Sequence, residues 1–106
     1  MIHVSEREMD IILDIIKAHA PFHDVLAFGS RLGGQPKKYS DLDLAFVSGG
    51  KHKLNLRTIA TLEDTFSESD LPFRVDVVDY RAASPEFRAI IDGRSEAIYS
   101  SPVVIE

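Results

Sequence analysis

A chain of 106 residues, 44% of them hydrophobic, can bury one core and not two, so a single domain spanning residues 1–106 is expected. A formal charge of −5 argues against direct nucleic-acid binding, whose affinity rests mainly on neutralising phosphates with basic side chains. The lack of cysteine removes disulfides and thiolate metal sites, no apolar run approaches the roughly 20 residues of a membrane span, and no basic-then-apolar leader opens the chain. The expectation is a soluble cytoplasmic protein without membrane contact.

In chain order, Ser5 with Glu8 three residues on forms a capping box. Met9, Ile12, Ile15, Ile16 and His19 follow at helical spacing, widened by Ile11, which predicts a first helix from Glu6 to His19, stopped by Pro21. Asp24 to Phe28 is short, mostly apolar and followed by glycine, and reads as a first strand. Residues 29–40 are polar, with Gly33-Gly34 and Pro36, and read as a loop that can open with one helical turn. Asp41 to Val47 begins by alternating Asp, Leu, Asp, Leu, which is strand period. Gly49-Gly50 and Lys51-His52-Lys53 close it. A second helix is predicted from Asn55 to Phe66 with Leu56, Ile59, Leu62 and Phe66 on one face. Phe73 to Tyr80 reads as a third strand. Ser84 then caps a helix with Pro85 at its first position, running to Asp92 with Gly93 after its end. Val103-Val104-Ile105 reads as an edge strand or an interface segment.

Connection lengths constrain the sheet. The first two strands are joined by about a dozen residues without a full helix, which favours antiparallel neighbours. The second and third are joined by a longer segment containing a helix, which suits a parallel crossover. Asp76 then falls beside Asp43, and Gly29, Ser30 and three acids meet at one end of a mixed sheet. Asp41 and Asp43, two apart, project from one face, while Leu42, Leu44 and Phe46 project from the other into the core. Asp is depleted in strands, and like charges side by side raise the energy unless something offsets them. Oxygen-only ligands favour Mg²⁺ or Mn²⁺ over Zn²⁺, and magnesium held by one or two carboxylates leaves room for substrate phosphates. Glycine lets a backbone approach a phosphate closely, and the Ser30 hydroxyl and N–H can donate to it. Arg31, Lys37 and Lys38 add basic charge to the same loop.

Gly29-Ser30, ten residues, Asp41-x-Asp43 and a later Asp76 resemble the signature of the DNA polymerase beta-like nucleotidyltransferase superfamily. The order helix, Phe28-Gly29-Ser30-Arg31, Ser40-Asp41-Leu42-Asp43-Leu44, helix, Val75-Asp76-Val77-Val78 resembles its smallest branch, the minimal nucleotidyltransferases (MNT) of prokaryotes, usually encoded beside a HEPN-domain protein. The resemblance runs from the first helix to about Ala97. It implies an α+β fold with a small mixed sheet and helices packed mainly on one face. It further implies that Asp41, Asp43 and Asp76 are catalytic and hold two Mg²⁺ ions (Mn²⁺ being able to substitute), with Asp76 helping to activate an acceptor hydroxyl. Gly29, Ser30, Arg31 and Lys38 would bind the nucleotide. In the HEPN-paired branch the implied activity is antitoxin, transferring AMP from ATP to a tyrosine of a partner toxin, an RNase, within a hetero-oligomer.

Two other readings compete with this one: a nucleotide-binding antitoxin that silences its partner by occlusion alone, and a small-molecule nucleotidyltransferase, which usually carries a helical substrate domain for which this chain lacks the length. His3, His19, His23 and His52 show no ligand spacing and are expected at the surface or at helix ends. Asp79, on the opposite strand face from Asp76, is expected to serve a turn or the surface, and Tyr80 to pack at the core or an edge.

Overall fold

The computed structural model describes residues 2–32, 40–48 and 54–102. Its elements are α1 (Glu6–His19), β1 (His23–Phe28), a 3-10 turn (Ser30–Leu32), β2 (Leu42–Ser48), α2 (Leu56–Glu68), β3 (Val75–Asp79), a second 3-10 turn (Tyr80–Ala82), α3 (Pro85–Gly93) and β4 (Glu96–Tyr99). The expected roles of Gly33, Gly34, Pro36, Lys37 and Lys38, of Gly49 to Lys53, and of Val103 to Ile105 lie outside the described residues.

α1 starts where its sequence predicts because both halves of the capping box form: Glu8 N–H donates to Ser5 Oγ (3.1 Å) and Ser5 N–H to Glu8 Oε1 (2.8 Å). Asn55 caps α2 by accepting from Thr58 N–H (2.8 Å), and Ser84 caps α3 by accepting from Phe87 N–H (3.1 Å). Gly93 is the last residue of α3 rather than the residue beyond it, and its φ is not positive, so the glycine-terminated ending expected there does not form.

The sheet order is β3-β2-β1-β4. β1 and β2 are antiparallel, with Phe28 opposite Asp43; β2 and β3 are parallel across the α2 crossover, with Asp43 opposite Asp76. β4, which the sequence reading did not anticipate, pairs antiparallel with the free edge of β1 through a register shift between Val25 and Leu26. Three of its four residues are half-buried, Ile98 and Tyr99 pack against the core, and the Tyr99 hydroxyl donates to the Pro21 carbonyl (2.9 Å).

Strand alternation sends Val25, Ala27, Leu42, Leu44, Phe46 and Val75 to one face, where they pack against Ile12, Ile15 and Ile16 of α1 and Leu62 and Phe66 of α2. Phe28 and Ala45 point the other way and meet Ile91 of α3, with Leu26, Val78 and Phe87 around them. Helices therefore lie mainly, though not wholly, on one face. Leu56 departs from expectation: it is 84% exposed. At 100° per residue it sits about 120° around the helix from Leu62, at the border of the Ile59–Leu62–Phe66 stripe. His23 also departs, being buried at the start of β1 instead of at the surface. No helix among the described residues is long and apolar enough to cross a membrane.

Candidate active site

The outward face of β2 divides into two parts. Its Ala45 end is covered by α3, whereas its Asp43 end lies at the mouth of the sheet beside the turn that follows β1. That turn needs Gly29. Its φ is +89°, a conformation that side chains with a Cβ rarely adopt. A Cβ built there would also run into Asp43 Oδ2 and stand 3.1 Å from Asp43 Cγ. Gly29 thus lets the backbone come up against the carboxylate of Asp43.

Strand register places Asp76 on the other side of Asp43, and the two carboxyl groups are close enough to hydrogen-bond. The Asp43 carboxyl is pushed up to about 6, first by burial, then by the charge of Asp76 and the hydrogen bond to it, and least by the charge of Asp41. Asp41 stands apart. β2 begins at Leu42, whose N–H donates to the Arg74 carbonyl (2.9 Å), so Asp41 precedes the ladder and is exposed. Among the described residues no three Asp, Glu, His or Cys side chains are gathered tightly enough to hold a metal ion. The three-acid cluster expected from spacing is therefore a close pair with a third acid nearby.

Arg74, not anticipated from sequence, faces the same side as Asp76, and its Nε lies 3.1 Å from Asp76 Oδ1. Arg74 is largely solvent-exposed and Asp76 half-buried, so the pair adds little stability, but it balances one charge of the acidic pair. Its sequence signal was available: Arg74 and Asp76 are two apart and share a strand face.

Arg31 is placed differently from the nucleotide contact expected of it. It is 5% exposed; its Nε donates to the Ser40 carbonyl (2.8 Å), its Nη1 to the His3 carbonyl (2.7 Å), and its guanidinium lies 3.9 Å from the Phe73 ring centroid. A guanidinium stays charged when buried and needs such partners. These contacts balance its charge within the protein. Ser30 opens the 3-10 turn directly after Gly29. Asp79 serves a turn, accepting from Arg81 N–H (3.1 Å), and Tyr80 packs against the α3 side of the core with its hydroxyl donating to the Asp92 carboxylate (2.9 Å).

A glycine turn after an antiparallel strand, backing an acid that is paired through a parallel neighbour with another, is an arrangement suited to phosphate and a hard cation. The chain belongs to the polymerase beta nucleotidyltransferase family, which matches residues 10–102. It is 44% identical over 88 residues to a Haemophilus influenzae protein named probable protein adenylyltransferase MntA, across 83% of this chain and 75% of that one. Among solved structures, a toxin–antitoxin complex with AMP-PNP has a similar fold (TM-score 0.73, 22% identity, 88% of this chain and 73% of that one). So does a complex of tri-AMPylated Shewanella oneidensis HEPN toxin with MNT antitoxin (TM-score 0.68, 21% identity, 91% and 72%). Nucleotidyltransferases of this type are metal-dependent. The residues present fit that requirement: two carboxylates opposed across the β2–β3 ladder, one pushed up by burial and by its neighbour, form an oxygen-only donor set of the number that magnesium takes alongside substrate phosphates.

Proposed function

We propose that this chain is a protein adenylyltransferase that moves AMP from ATP to a hydroxyl of a HEPN-domain partner and thereby acts as the antitoxin to that partner. The observation that carries the reading is the Asp43–Asp76 pair set against the Gly29 turn. The relative named as an adenylyltransferase and the toxin–antitoxin folds support the choice of chemistry and of partner.

In this reading Gly29 and Ser30 hold the triphosphate, with Lys38 supplying positive charge from the stretch outside the described residues. Asp43 and Asp76, with Asp41 at the rim, hold Mg²⁺, for which Mn²⁺ can substitute; two ions match the donor set once substrate phosphates complete it. When bound, the metal offsets charge on the leaving pyrophosphate and lowers the pKa of the acceptor hydroxyl. Asp76 lies on the strand at the sheet edge, where the acceptor can approach, and takes the proton as the acceptor oxygen attacks the α-phosphorus. The new bond is acceptor oxygen to α-phosphorus, the bond broken joins that phosphorus to the bridging oxygen, and pyrophosphate leaves. Most of the rate comes from holding these groups in line and neutralising charge. In this reading the protein works in the cytoplasm, where ATP is supplied, in a hetero-oligomer with its acceptor.

The test is mass spectrometry of the HEPN partner after incubation with this protein, Mg²⁺ and ATP carrying a labelled α-phosphate. The partner should gain the label and the mass of AMP, and Asp43→Asn should lower the rate by about 100-fold or more. An unchanged partner mass sinks the proposal.

A further inference from the structure

We infer that Arg31 is a positioning residue that fixes the nucleotide turn to the approaches of both acid-bearing strands, with the N-terminal segment as part of the same fixture. The inference rests on the reading of Gly29 and Ser30 as the nucleotide site and adds what holds that site in place.

Arg31 follows Ser30 directly, so its own backbone belongs to the turn. Its Nε bonds the carbonyl of Ser40, the residue before Asp41, and so joins the end of the turn to the entry of β2. Its guanidinium stacks on Phe73, two residues before β3 begins and three before Asp76. One buried cation therefore touches the backbone of the turn, the lead-in to Asp41 and Asp43, and the lead-in to Asp76. The N-terminal segment closes the arrangement from outside. Arg31 Nη1 donates to the His3 carbonyl, and His3 N–H donates back to the Arg31 carbonyl (2.8 Å). Ile2 beside it is buried, and its N–H donates to Glu96 Oε2 of β4 (3.0 Å).

The two acids do not depend on this fixture for their own spacing. Asp43 and Asp76 are opposed by the β2–β3 ladder, whose hydrogen bonds are main-chain. Loosening Arg31 should therefore shift the turn relative to the acids while leaving the acids together. A residue that merely stabilised the fold would weaken both functions alike.

Arg31→Lys separates these cases. Lysine keeps the charge, but its single nitrogen cannot reproduce the planar fork that serves two carbonyls and lies on a ring. The ATP analogue AMP-PNP, which keeps the α–β bond but meets no acceptor partner in the isolated chain, and Mn²⁺ alone are titrated separately into the full chain by calorimetry. Arg31→Lys should bind AMP-PNP about tenfold more weakly, because small displacements of positioning groups carry effects of this order or larger. Its Mn²⁺ affinity without nucleotide should stay within about twofold of wild type, since the ladder that sets Asp43 against Asp76 is untouched and Asp41, at the rim, stands apart from that pair. Phe73→Leu keeps both carbonyl bonds and removes the ring, so it should show the same split at about threefold; it carries the test if Arg31→Lys does not fold. Wild-type AMP-PNP affinity in Arg31→Lys overturns the inference alone, as does a parallel loss of AMP-PNP and Mn²⁺ binding. A wild-type chain that binds Mn²⁺ but no AMP-PNP overturns the nucleotide reading and this inference with it.

Discussion

Asp43→Asn should make the metal-free protein more stable while removing its activity. The Asp43 carboxyl is raised from its ordinary 3.8 to about 6, so the folded state resists ionising it. At about 1.4 kcal/mol per pKa unit, a shift of this size corresponds to roughly 3 kcal/mol. Asp43 is only partly buried, and solvent screening cuts that to about 1.5 kcal/mol. The sign follows from proton uptake. Between pH 3.8 and about 6 the folded chain holds a proton at Asp43 that the unfolded chain has released, so stability falls as pH rises through that window. Above it the loss is complete, and below it the loss is absent. Asparagine carries no charge to repel Asp76, and its amide can donate to that carboxylate. For a domain of this size 1.5 kcal/mol corresponds to roughly 6–10 °C in melting temperature. Thermal denaturation in EDTA at pH 7.5 should show Asp43→Asn melting higher by that amount, with the gap closing near pH 4. Adding Mg²⁺ should raise the wild-type midpoint and leave the variant nearly unmoved. If Asp43→Asn melts at or below wild type at pH 7.5 in EDTA, or if the gap persists at pH 4, the account of an Asp43 carboxylate destabilised by burial and by Asp76 is wrong.

Gly29→Ala combines a positive φ with a Cβ driven into the Asp43 carboxylate, so it should cost about 1–3 kcal/mol in urea unfolding and lower adenylyl transfer by about 100-fold. An Asp41→Asn, Asp43→Asn double variant should co-elute with the partner on size exclusion yet fail to neutralise it; retained neutralisation would establish occlusion as the mechanism. On α3, Ile91 is fully buried and Ile90 is 64% exposed, so Ile91→Ala should cost about 2–4 kcal/mol and Ile90→Ala less than about 0.5 kcal/mol by denaturant titration.

What could be read from the residues was whatever local chemistry decides. The capping box gave α1 its start, and alternation around Leu42, Leu44 and Phe46 gave the core face of β2. Connection lengths sufficed for the antiparallel and parallel pairings, and hence for the meeting of Asp43 with Asp76. What escaped depends on distant partners. β4 has no alternation of its own and is a strand because β1 has a free edge to pair with. Asp41 shares strand spacing with Asp43, but the ladder starts one residue too late to gather it in. Arg31 reads as a basic loop residue, and only the convergence of Ser40, His3 and Phe73 makes it an internal tie. Leu56 shows a different limit: it borders the Ile59–Leu62–Phe66 stripe by angle, but as the first residue of α2 it lies beyond the part of the helix that packs.

The opposition of Asp43 and Asp76 also bears on how the protein comes into being. The two acids belong to adjacent parallel strands separated in sequence by the whole of α2, so no local segment contains the pair. Non-local parallel pairing carries the loop-closure entropy of its crossover and forms late relative to helices and hairpins. During synthesis Asp43 leaves the ribosome well ahead of Asp76, and the repulsion between them arises only when β3 docks. A nascent or truncated chain can thus hold α1 and the β1–β2 hairpin without any trace of the acidic pair. On the proposed function, cation binding to that pair is a readout of β3 docking onto β2, and divalent metal present during synthesis should favour that step rather than the earlier β1–β2 pairing.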